Sequence, residues 1–92
     1  MGRLRAVLQL PGELDFVQVD AVREQIRLAM IRDSPPVIEL DCSDLTYICP
    51  EGIRMLLEIG REMQRPVRLT GMNDDCRQRI RMMGLEDIFV LR

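Results

Sequence analysis

The sequence predicts one α/β domain over residues 1–92: a mixed β-sheet with about three α-helices packed on it. Three observations carry this expectation. Apolar spacing alternates between period two and helical period, in the order strand, short strand, helix, strand, helix, strand, helix, strand. That alternation implies parallel crossovers with helices laid on a sheet. Prolines and glycines stand at the boundaries, and 47% of the 92 residues are apolar, enough for one continuous core without a metal or a disulfide.

Arg3 to Leu10 sets Leu4, Ala6, Leu8 and Leu10 on one side, the pattern of a half-buried strand. Pro11-Gly12 interrupts it, and Glu13 to Phe16 reads as a second short extended piece. Val19, Val22, Ile26, Ala29 and Met30 recur at helical spacing, with Arg23, Glu24 and Arg27 mostly turned away. This helix must stop before Ser34-Pro35-Pro36, because proline disfavours helix in the residue before it. Val37 to Asp41 is the expected central strand. Tyr47-Ile48 leads to the Pro50-Glu51-Gly52 corner, where a second helix starts and runs to about Arg65. On that helix Ile53, Leu56, Leu57, Gly60 and Met63 are expected to face the sheet. Met55 and Ile59 project to one flank, either against a neighbouring helix or as a partner surface. Val67 to Leu69 is another strand. Asn73 caps a third helix, with Asp74 and Asp75 at its positive end and Cys76, Ile80 and Met83 inward. Arg77, Arg79 and Arg81 face solvent, Gly84 ends the helix in a left-handed conformation, and Ile88 to Leu91 forms the last strand.

Composition removes several functions. Thirteen bases, all Arg, against 15 acids give a net charge of -2, which argues against a general nucleic-acid or membrane-surface binder. Cys42, Cys49 and Cys76 are odd in number and irregularly spaced, and His is absent, so neither a zinc site nor a disulfide framework is expected. Free thiols fit a cytoplasmic protein, and no apolar run is long enough to span a bilayer. Asp15, Asp41, Asp44 and Glu51 lack a complementary base or nucleophile, so catalysis is not expected and no cofactor or metal is implied.

The corner has its own physics. Pro50 suits the first helical position, where its missing N–H would be unpaired anyway. Glu51 follows near the positive end of the helix dipole and is expected to stabilise the helix. Gly52 lacks a side chain and so admits close backbone approach, here by a partner. Cys49 sits where a helix start can activate a thiol, but a small side chain that fits the turn is the simpler reading.

In order and spacing, these pieces resemble the STAS domain of bacterial anti-sigma factor antagonists. The resemblance covers nearly the whole chain: Pro11 to Asp15, Val37 to Asp41, Leu45 to Ile48 leading to Gly52, and Met83 to Phe89. In that family the turn before the second helix usually reads Asp-Ser-x-Gly, and a partner kinase phosphorylates the serine to switch binding to an anti-sigma factor. Here Cys49 stands in the Asp place, Pro50 in the serine place and Gly52 in the glycine place. The usual switch is therefore lost while the binding role can persist.

The resemblance implies a stand-alone, non-enzymatic protein-interaction module, expected to bind an anti-sigma factor or another kinase-fold protein and so release a sigma factor. The alternative it offers is an accessory subunit docking on the ATPase of a lipid-transporting ABC system. The expected contacts are Ser43, Asp44, Thr46, Cys49, Pro50, Glu51 and Gly52 on the loop, extended by Arg54, Met55, Glu58 and Ile59 on the helix. Ser43 and Thr46 are the remaining hydroxyls that could accept a phosphate there.

Overall fold

The computed structural model describes residues 7–91, with side chains placed through residue 89. The order is β1 (Val7–Gln9), β2 (Glu13–Leu14), α1 (Val19–Asp33), β3 (Ile38–Asp41), β4 (Tyr47–Ile48), α2 (Pro50–Met63), β5 (Val67–Thr70), α3 (Asp74–Met82) and β6 (Val90–Leu91). The expected α/β class and its three helices are present. The residue 3–6 part of the first expected strand, with Leu4 and Ala6, lies outside the described residues.

The main sheet has the order β1-β3-β5-β6, and a second sheet pairs β2 with β4. Every ladder among the described residues is parallel, so the sheet expected to be mixed is parallel throughout the pairs that form here. The reason is the alternating connectivity: each neighbour in the main sheet is reached through a helix, and a helical crossover returns the chain in the same direction. Because the order advances one way, right-handed crossovers lay the helices on one face.

The cross-strand register sorts the sheet residues by face. Ile38 pairs with Val67, and Leu40 with Leu8 and Leu69. Ile38, Leu40, Val67 and Leu69 are buried and join the single core, with Leu8 packed against it. The opposite face carries Gln9, Asp41 and Thr70 in one row and Val7, Glu39 and Arg68 in the next. Glu39 is only 5% exposed, and it accepts a 3.2 Å bond from the Arg68 guanidinium in a half-buried ion pair. A buried carboxylate is tolerated only when paired in this way.

The helices follow from local chemistry. In α1 the buried residues are Val19, Val22, Ile26, Ala29 and Met30, the expected stripe. Asp15 supports its start by accepting from the backbone N–H of Val17 at 3.1 Å and of Gln18 at 3.3 Å. The Asn73 side chain caps α3, accepting from the Cys76 N–H at 2.8 Å. At the other end Gly84 has φ +73°; its N–H donates to the Arg81 carbonyl and that of Leu85 to the Ile80 carbonyl. This is the pair of hydrogen bonds expected of a glycine-terminated helix end.

In α2 the buried residues are Gly52, Ile53, Met55, Leu56 and Ile59. Leu57 and Met63, expected to face the sheet, are only partly buried. The buried arc is thus rotated relative to the expectation. Met55 and Ile59 are each 1% exposed, and α1 and α2 pack on one another, so these two residues belong to the interior and not to a partner surface.

Candidate functional site

The corner at the start of α2 is built on the two-residue ladder of β2 and β4. Glu13 pairs with Tyr47 and Leu14 with Ile48. The two strands leave the main sheet together. Beyond the last main-sheet bond, from the Leu10 N–H to the Asp41 carbonyl, the Pro11-Gly12 turn and the Cys42 to Leu45 turn interrupt the pairing. It resumes when Gly12 accepts from both the Thr46 N–H (2.7 Å) and the Thr46 hydroxyl (2.9 Å). The Cys49 N–H then donates to the Leu14 carbonyl at 2.9 Å and closes the corner onto β2.

Cys49 is the N-cap of α2. Its backbone is extended, and its Sγ accepts from the Gly52 N–H at 3.3 Å. Sulfur is a weak acceptor, and it occupies the place where a capping oxygen is usual. Cys49 is buried, which agrees with the small-side-chain reading of this residue. Pro50 is the first helical residue, as expected, and is exposed; Glu51 follows, exposed, in the first turn.

Gly52 corrects the reading that its bare backbone faces a partner. It is buried, and a Cβ placed there would lie 3.0 Å from Leu14 Cγ, 3.2 Å from Ile48 Cγ1 and 3.2 Å from the Leu14 carbonyl oxygen. The close approach is internal, between α2 and the β2–β4 ladder. Of the expected contacts, Cys49, Gly52, Met55 and Ile59 therefore lie beneath the surface. Ser43, Asp44, Thr46, Pro50, Glu51, Arg54 and Glu58 are exposed.

The loop hydroxyls and acids are partly engaged. The Asp41 carboxylate accepts from Ser43, including its N–H at 2.9 Å, and these bonds hold its pKa below the ordinary carboxylate value. Asp44 accepts from the Gln9 side-chain amide. No group of three or more His, Cys, Asp or Glu that could hold a metal occurs among the described residues. All three cysteines are free and buried. Burial, then the nearby Asp41 and Cys76, pushes the Cys42 thiol up to about 12, and burial raises Cys76 as well.

Two hollows flank the corner. On the α1 side a groove is lined by Phe16, Val19, Asp20, Arg23, Glu51, Arg54, Met55 and Glu58. Phe16, in that lining, is 76% exposed, and the next residue, Val17, is 81% exposed, both large apolar side chains in water. Sequence reasoning missed both, although an aromatic in a chain with only three is a signal to weigh. On the α3 side a hollow of about 160 Å³ is lined by Ile48, Pro50, Ile53, Arg79, Met82 and Met83. Arg79, expected to be merely solvated, lies over the Tyr47 ring at 4.9 Å from its centroid. The corner is thus a ridge, Pro50-Glu51, between a mixed-charge groove and an apolar hollow. Such relief can seat side chains of another protein, and no acid, base and nucleophile converge at it among the described residues.

A family profile described as "Mlab, STAS domain" matches residues 3–92. No curated protein matches the chain. No helix among the described residues is long and apolar enough to cross a membrane.

Proposed function

The chain belongs to the STAS domain family, and we propose that it is a non-enzymatic, cytoplasmic docking module that grips a partner protein with the Pro50-Glu51 ridge and is not gated by phosphorylation at that ridge. The observation that carries this reading is Pro50 itself. It is exposed at the first position of α2, where the family's switch hydroxyl would stand, and it has no atom that accepts a phosphate. The ridge is tied down from below by the Cys49 cap and by the close packing of Gly52 on Leu14 and Ile48. Ser43 and Thr46 are exposed beside it and are the remaining hydroxyls for a modification.

By family analogy the partner is an anti-sigma factor or a related kinase-fold protein. A second reading, docking on the ATPase of a lipid-transporting ABC system, is favoured by the same Pro50, since that role requires no switch. Affinity purification of the chain from its native cells separates the two. A kinase-fold protein supports the first reading and an ABC ATPase the second. The purified partner must lose at least tenfold in affinity for the Glu51→Arg, Arg54→Glu double variant, whose two positions are exposed and form no ion pair among the described residues. An unchanged affinity would remove the ridge from the interface. Phosphate found on Ser43 or Thr46 by mass spectrometry would overturn the ungated reading.

A further inference from the structure

We infer that the hollow between the corner and α3 is the anchor point of the docking surface, taking one apolar side chain of the partner protein set beside a carboxylate that Arg79 binds. This rests on the docking reading above and adds the chemistry of the partner's contact segment.

The hollow is lined by Ile48, Pro50, Ile53, Arg79, Met82 and Met83, and its volume is about 160 Å³. An apolar cavity of about 150 Å³ holds a benzene ring, so one Phe or Leu side chain fits. Pro50 belongs both to the ridge and to this lining, so the hollow continues the proposed interface. Met82 is 78% exposed at the end of α3, and methionine adapts its shape to an inserted group. Interfaces draw most of their energy from a few apolar anchors seated in pockets of this sort.

Charge names the neighbour of that anchor. Arg81 is paired with Glu86 at 2.9 Å, and Arg23 with Asp20 at 2.7 Å. Arg79 has no carboxylate partner among the described residues. Its guanidinium is held over Tyr47, which orients it without neutralising it. A guanidinium stacked on Tyr47, with no carboxylate partner among the described residues and beside an apolar hollow, complements a carboxylate next to an apolar side chain. The groove on the α1 side differs: it carries Asp20, Glu51 and Glu58 beside Arg23 and Arg54, so carboxylates of this chain already share it with the guanidinium groups, whereas the α3-side hollow is lined by Arg79 and no acid.

The test titrates the full ¹⁵N-labelled chain with N-acetyl-Asp-Phe-amide, with N-acetyl-Asp-Ala-amide and N-acetyl-Lys-Phe-amide as controls. Amide shifts are expected at Ile48, Ile53, Arg79, Met82 and Met83, with at least fivefold weaker binding of either control. Arg79→Glu and Met82→Asp, both at exposed positions, should each weaken the Asp-Phe probe at least fivefold in a chain that stays folded, with a fall in melting temperature no larger than an acid in the last turn of α3 causes. Shifts elsewhere, no shifts, or equal binding of the controls overturn the anchor. A purified partner that needs Glu51 and Arg54 but ignores Arg79→Glu and Met82→Asp also overturns it, while leaving the ridge reading standing. A partner indifferent to Glu51 and Arg54 defeats that earlier reading instead.

Discussion

Replacing Gly52 by Ala tests how the corner is held. In an ordinary helix the change would gain about 1 kcal/mol, because alanine is the better helix former. Here the new methyl would meet Leu14 Cγ at 3.0 Å, Ile48 Cγ1 at 3.2 Å and the Leu14 carbonyl oxygen at 3.2 Å. Two of these contacts are core side chains that are 0% exposed and have nowhere to retreat. The third is backbone, and that carbonyl already accepts the Cys49 N–H at 2.9 Å. Overpacking of a filled core costs about 1–3 kcal/mol, and shifting β2 strains the Cys49 bond as well. The net expectation is a loss of about 1–2 kcal/mol, or roughly 4–16 °C in melting temperature for a domain of this size. Gly12→Ala is the matched control: its nearest neighbour is the Asp44 carbonyl oxygen at 3.6 Å, and its effect should stay within about 0.5 kcal/mol. Thermal and urea unfolding followed by circular dichroism reads both variants. A Gly52→Ala protein as stable as the parent would refute the packing of α2 on the β2–β4 ladder.

Other expectations are independent of the corner. Gln64 ends α2 at φ 55°, a left-handed conformation strained for a side chain, so Gln64→Gly should raise stability by about 0.5–1 kcal/mol in urea unfolding. Gly84 has φ +73° with nothing within 4 Å of an added Cβ, so Gly84→Ala should cost about 1–2 kcal/mol from backbone strain alone, and a neutral result would contradict the helix end described. The Cys42 thiol ionises near 9.0 when unfolded but is pushed up to about 12 in the fold, so its contribution is complete below about pH 9 and is lost as pH climbs toward 12. Cys76 shifts in the same direction. Unfolding free energies from urea titrations should therefore fall between pH 9 and 11, by no more than about 1.4 kcal/mol per pH unit from Cys42, and a flat profile would count against its burial. Neither of these two thiols should react with iodoacetamide at pH 8 until the protein unfolds, since both are 0% exposed.

The parts of the fold legible in the sequence were those set by local chemistry. The α1 stripe, the Asn73 cap, the Gly84 stop and Pro50 at the first helical position each follow from residues within a few places of one another. What distance in the chain brings together was hidden. The β4 strand is two residues long and pairs with β2 across more than thirty positions, so no periodicity announces it. The rotation of α2 was missed because its apolar residues cover more than one stripe, and period alone does not choose between stripes. Gly52 displayed a missing side chain, but not that Leu14 would fill the space. Likewise the stacking of Arg79 on Tyr47 joins two elements that read separately as a solvated helix face and a turn.

Gly60 repeats at the far end of α2 what Gly52 does at the near end: a Cβ there would sit 2.9 Å from Val67 Cγ2 and 3.2 Å from the Arg65 carbonyl oxygen. The helix is riveted at two points, one to the small ladder and one to β5. Under the proposed docking, a visitor pressing on Pro50 would meet a stiff lever rather than a loop that must first be organised. Recognition should proceed as rigid bodies meeting, with little entropy surrendered by this chain and an association rate set by orientation and collision.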